Sequence, residues 1–203
     1  MSRKRSRAQT EQRFQDSVLS LVAESGCAQL GVNAVAHRTG SDKVLIYRYF
    51  GGIDGLLRAV ATNRNWLPTV DELLNKVAGE PEKVLNGLFE LIVHHIESDP
   101  ATHQISLWRH AVDNPLTDKY NANWQKLWRE LPDKISSHLN DENRQLWTDA
   151  CNLTSLLIQS ELAGESIDMD CLKSLTEKLQ SSFETSNSEP IEDVEDILPT
   201  NLL

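Results

Sequence analysis

The chain has 203 residues and a formal net charge of −10 at neutral pH, with 39% of its residues apolar and 25% charged. That length can bury a real core and argues against two large domains. It contains no apolar run near the roughly 18 residues of a membrane span, and its opening Met-Ser-Arg-Lys-Arg-Ser-Arg lacks the apolar stretch of a secretory signal. Cys27, Cys151 and Cys171 are scattered and odd in number. They offer no disulfide framework or zinc spacing and read as small buried hydrophobes in a reducing cytoplasm. The charge is unevenly spread. Residues 1–65 carry 10 Lys and Arg against 5 Asp and Glu, and residues 66–203 carry 10 against 25. A basic first third is the part that would steer a polyanion.

Residues 1–9 contain Arg3, Lys4, Arg5 and Arg7 and read as a flexible basic arm, either a phosphate-following segment or a solvated tail. Residues 10–26 follow as an amphipathic helix with Phe14, Val18, Leu21 and Val22 at helical spacing, closed by Ser25-Gly26. Residues 31–50 then pack two short helices around a turn. Val32, Val35 and Ala36 give the first an apolar edge, Gly40 permits a left-handed turn, and Ile46 and Phe50 give the second a buried edge. This spacing predicts a helix-turn-helix, although an ordinary helical hairpin fits it too. Asp42, Lys43, Leu45, Arg48 and Tyr49 are left outward, a charged and aromatic face that suits the major groove of DNA. Beyond Gly51-Gly52, the residues Ile53, Leu56, Leu57 and Val60 predict a further helix reaching about Trp66.

The remainder is helical throughout, with breaks at Gly79-Glu80-Pro81, Asp99-Pro100, Asn114-Pro115 and Gly164. Segments 82–98, 102–113, 117–139, 142–163 and 168–183 carry apolar stripes, and none alternates with the period of a strand. The expected architecture is therefore all-α with about nine helices. Helix 142–163 has two neighbouring apolar stripes, one of Leu146, Ala150, Leu153 and Leu157 and the next of Trp147, Cys151, Thr154 and Ile158, so it can pack on its own domain and on a partner. Helix 168–183 has a narrower stripe of Leu172, Leu175, Leu179 and Phe183. Residues 184–203 are acidic, with Glu189, Glu192, Asp193, Glu195 and Asp196, and are expected to be disordered.

The order of anchors over residues 10–60 resembles the DNA-binding domain of the TetR family of bacterial transcriptional regulators. The anchors are Gly26, Val35-Ala36, Gly40, Tyr47-Arg48-Tyr49-Phe50 and Leu56-Leu57. Three positions depart from the family pattern. Gly31 stands where Ser or Thr opens the second helix, Ser41 stands at a turn position usually held by Val, and Ile53 replaces a Lys that contacts phosphate. The resemblance implies a basic arm at 1–9, a helix-turn-helix domain at 10–52, a helical regulatory and dimerisation domain at 53–183 and the tail. It also implies a homodimer joined through the last two helices, double-stranded operator DNA as partner, and a small-molecule effector bound in the second domain.

Within that frame the expected DNA contacts are Asn33, Lys43, Leu45, Tyr47, Arg48 and Tyr49. Lys43 lies within reach of phosphate and base edges, Leu45 of a thymine methyl group, and Arg48 of guanine or phosphate. Tyr47 and Tyr49 offer hydroxyls to the backbone, and Asp42 caps the third helix. Trp66, Phe89, His103, Trp108, Trp124 and Trp128 are candidate effector-pocket residues, each with ordinary core packing as its alternative. His94, His95, His103 and His110 have no zinc-ligand spacing, and no catalytic or cofactor motif appears, so neither enzyme nor metal site is expected. The reading is a cytoplasmic, ligand-responsive repressor. The alternative is a helical protein-interaction module that has lost operator binding.

Overall fold

The computed structural model describes residues 2–77, 81–135 and 141–165, together with Ser174, Glu177 and Lys178. Among these residues there are nine helices and no strands. They are α1 (Ser2–Ser25), α2 (Val32–Thr39), α3 (Val44–Phe50), α4 (Ile53–Thr62), α5 (Val70–Leu74), α6 (Pro81–Glu97), α7 (Pro100–Trp108), α8 (Pro115–Ile135) and α9 (Asp141–Leu162). The expected all-α class is what the chain adopts. The proline-led breaks became helix starts: α6, α7 and α8 each open on a proline, where the missing N–H costs no hydrogen bond. Asp99 caps α7 by accepting from Ala101 N at 3.1 Å, and Asn114 caps α8 by accepting from Leu116 N at 2.8 Å.

Two compact units divide the chain. The first comprises residues 1–68 and 94–126, and the second residues 69–93 and 127–203. In the first unit α1 is the central packing element, touching α2, α4 and α7. Phe14, Val18 and Val22, four residues apart along one face, are fully buried. The buried apolar residues of the second unit include Leu85, Leu88 and Ile92 of α6, Leu131 of α8, and Trp147, Ala150, Cys151 and Ile158 of α9.

Several boundaries differ from expectation for identifiable reasons. Helix α1 opens at Ser2, so residues 2–9, expected as a basic arm, stand in its first turns. The helix expected to reach Trp66 stops at Thr62, and Trp66 folds back so that its indole Nε1 donates to Ala61 O at 3.2 Å. Helix α7 ends at Trp108 rather than near residue 113, because the chain turns at 109–111 before the Asn114 cap. The helix expected over 168–183, with Leu172, Leu175, Leu179 and Phe183, and the tail at 184–203 lie outside the described residues.

Gly26 is demanded twice over. It terminates α1 at φ +70°, donating to Val22 O at 2.8 Å, and a β-carbon there would stand 2.3 Å from Trp108 Nε1. Gly31 is the opposite case: it precedes α2 with extended backbone, makes no side-chain cap, and has open space where a β-carbon would go. Gly26→Ala is expected to lower unfolding stability by about 2 kcal/mol or more, from left-handed strain plus overpacking. Gly31→Ser is expected to raise it by a few tenths of a kcal/mol, by supplying a capping oxygen. Chemical denaturation midpoints of the two variants, read against the parent, check both signs.

Candidate nucleic-acid interface

The turn between α2 and α3 is built from backbone hydrogen bonds. Gly40, at φ +61°, donates to His37 O at 3.2 Å, and Ser41 N donates to Ala36 O at 3.1 Å, the pattern of a Schellman closure. Arg13 of α1 reaches across and donates from Nη2 to Thr39 O at 2.8 Å, satisfying another carbonyl at the end of α2. Asp42 Oδ1 then accepts from Val44 N at 2.9 Å, so the carboxylate caps the start of α3. Gly51, at φ +77°, closes α3 by donating to Tyr47 O at 2.9 Å.

These constraints fix which side of α3 faces solvent. Ile46 is fully buried, and Phe50 sets its ring edge against Phe14 of α1 at 6.2 Å and 90°. Opposite them, Val44 is 59% exposed and Tyr47 56% exposed, and Lys43 and Arg48 are exposed as well. Val44, Tyr47 and Arg48 stand at i, i+3 and i+4 and form one ridge, with Lys43 at its N-terminal end. Asn33 is exposed on α2, and Tyr49 is half-buried with Arg7 over its ring.

Sequence reasoning placed Leu45 on the outward face and passed over Val44. In the structure Leu45 is half-buried and Val44 carries the apolar exposure. The position three residues before Tyr47 was the available signal, since a helix places i and i+3 on one side. Tyr47, expected to offer its hydroxyl to the DNA backbone, is exposed.

The charges around the ridge are sorted by pairing. Arg38 forks onto both carboxylate oxygens of Glu24, with Nη1 at 2.8 Å from Oε1, and holds that carboxyl below its usual pKa. Arg13 serves Thr39. Among the described residues Lys43, Arg48 and Arg58 form no ion pair with a carboxylate, so their charge is open to an anion outside the chain.

Residues 17–60 match the family model of the bacterial regulatory proteins of the tetR family. Over these residues the chain is similar to a TetR N-terminal domain. Its boundaries enclose the C-terminal part of α1, the turn at Gly40, the ridge on α3 and most of α4. Over most of its length the fold is similar to that of a TetR-like transcriptional regulator from Rhodococcus sp. RHA1. The TM-score is 0.53 at 16% identity, over 87% of this chain and 96% of that one. A TetR family transcription regulator from Marinobacter aquaeolei VT8 gives a TM-score of 0.47 at 14% identity, over 89% and 97% of the two chains. The fatty acid degradation regulator FadR from Bacillus halodurans gives 0.48 at 16% identity, over 89% and 99%. No curated protein matches the sequence.

The candidate effector residues are divided between the units. Trp66, His103, Trp108 and Trp124 belong to the first, and Phe89 and Trp128 to the second. Trp66, Phe89, Trp124 and Trp128 are buried, whereas His103 and Trp108 are half-buried. Within the first unit the Arg109 guanidinium lies 4.7 Å from the Trp124 ring and 5.8 Å from that of Tyr120, whose hydroxyl pKa burial pushes upward. On α9, Ala150 is fully buried, while Leu146, Leu153 and Leu157 are half-buried and Leu156 is 60% exposed. Burial raises the Cys27 thiol to about 11 and the Cys151 thiol to about 12, so both are protonated and inert near neutrality. Among the described residues no three His, Cys, Asp or Glu side chains converge as metal ligands, and no helix is long and apolar enough to cross a membrane.

The two faces of α3 should respond differently to truncation. Ile46→Ala is expected to cost about 2–5 kcal/mol of stability, because it empties a fully buried site. Val44→Ala is expected to stay within about 0.5 kcal/mol of the parent. Equilibrium unfolding in urea measures the contrast.

Proposed function

We propose that this chain is a transcriptional regulator that binds a palindromic operator as a homodimer and is released by a small-molecule effector. The observation that carries the reading is the outward ridge of Lys43, Val44, Tyr47 and Arg48, held by the Gly40 turn in a TetR-type domain. A short helix presenting a cation, an apolar β-branched group, a phenol and a guanidinium offers phosphate anchoring and base readout together. Asn33, exposed on α2, and the half-buried Tyr49 and Leu45 are the further contacts of this reading.

The dimer and effector parts of the proposal draw on other features. Leu146, Leu153 and Leu157, half-buried beside the exposed Leu156, give α9 an apolar flank suited to a second copy. Two copies related by a twofold axis would place two α3 ridges against successive major grooves. Within the first unit, Trp66, Trp108 and Trp124 suit a small apolar or aromatic molecule, and linkage requires only that it bind the DNA-incompetent form better. A repressor of this kind works in the cytoplasm by occluding a promoter and carries out no catalysis. The helix-turn-helix domain is taken as 10–52, with regulation and dimerisation over 53–183.

Selection from a pool of random duplexes at low salt, followed by sequencing, tests the reading. Enrichment of a palindrome is the expected result. No enrichment would overturn it in favour of a protein-interaction module, for which the uncapped Gly31 and the apolar Ile53 would then account. On the selected duplex, Lys43→Ala is expected to reduce the slope of log affinity against log salt by about one unit. Val44→Ala is expected to leave the slope unchanged and relax preference at one base position, read by repeating the selection with the variant.

A further inference from the structure

Arg7 lies outside the α3 ridge yet touches the helix that carries it. Its Nε donates to Glu11 Oε1 at 2.7 Å, one helical turn along α1, and its guanidinium carbon stands 5.0 Å from the centroid of the Tyr49 ring. Two restraints of different kinds therefore act on one guanidinium: a charged hydrogen bond along one edge and an aromatic face beside its plane. The side chain is nonetheless 58% exposed, and among the described residues its Nη groups donate to nothing else. A guanidinium fixed in orientation, with its fork still open, loses little conformational freedom when it grips a planar or tetrahedral anion.

The backbone adds to this. Helix α1 is continuous from Ser2, so Arg3 stands one turn before Arg7, with Lys4 and Arg5 between them. The basic residues that sequence reasoning assigned to a loose arm are carried on a helix whose second turn meets Tyr49. We propose that Arg7 is a phosphate clamp, a guanidinium oriented by Glu11 and the Tyr49 ring that grips the backbone of duplex DNA beside the α3 ridge. The proposal rests on the DNA-binding reading and extends the contact surface from α3 to α1. Glu11 and Tyr49 are positioning residues for the clamp.

The test is the salt dependence of binding by the full chain to one random-sequence duplex, with far-UV circular dichroism confirming that each variant is folded. Arg7→Ala is expected to weaken binding about threefold to tenfold at low salt and to lower the salt slope by about one unit. Arg7→Lys, which keeps the charge but loses the fork and the stacking, should keep the slope and lose part of the affinity. Glu11→Gln, which breaks the ion pair and leaves the cation, should also keep the slope. If the pair served only to stiffen α1, Arg7→Ala and Glu11→Gln would alter binding equally and leave the slope at the parent value, and that result overturns the clamp. A parent chain with no duplex affinity at low salt would overturn the DNA-binding reading and the clamp together. A parent that binds, with Arg7→Ala indistinguishable from it, would overturn the clamp alone.

Discussion

The seating of α3 on α4 and against Phe14 of α1 is the contact on which the candidate interface depends. Ile46 is sealed from solvent and Phe50 meets Phe14 edge to face, so a seven-residue helix too short to be stable by itself is held in one rotational setting. Every outward residue inherits its direction from that seating. Rotation of α3 by one residue would bury Val44 or Tyr47 and turn Ile46 into water, at a cost of a few kcal/mol for each buried aliphatic side chain exposed. The turn at Gly40 and the reach of Arg13 to Thr39 O hold the approach of α2 to the same pose.

Much of this was legible in the sequence, because the relevant signals are local. The left-handed positions at Gly26 and Gly40, the Ile46–Phe50 spacing and the proline-led starts of α6, α7 and α8 all follow from backbone sterics within a few residues. The failures have the same character from the other side. Leu45 and Val44 are adjacent aliphatic residues, and composition gives no reason to prefer one as the exposed member; the tertiary packing of α3 decides it. Trp66 has the periodicity to extend α4, but its indole gains a carbonyl partner by leaving the helix axis. The helical state of residues 2–9 was hidden by their charge, since a run of cations reads as a solvated arm unless tertiary contacts such as Arg7 on Tyr49 are known.

The second unit is less informative about chemistry than about packing. Its buried line on α9 is the second stripe read from the sequence, Trp147, Cys151, Thr154 and Ile158, joined by Ala150 of the leucine stripe. Both stripes are real features of a helix with a wide apolar sector, and they differ in what covers them. The inward line includes Thr154, whose hydroxyl is satisfied by donating to Ala150 O at 2.8 Å, so a polar residue sits there without an unmet hydrogen bond.

The passage from α3 to α4 has a mechanical consequence. A β-carbon at Gly55 would fall 1.7 Å from the carbonyl oxygen of Phe50, so the first turn of α4 rests directly on the last peptide of α3. With only Gly51 and Gly52 between the helices and no side chain to act as a cushion, the joint has almost no slack. Whatever tilts α4 must therefore drag the outward ridge with it, as one lever arm drags another across a welded elbow.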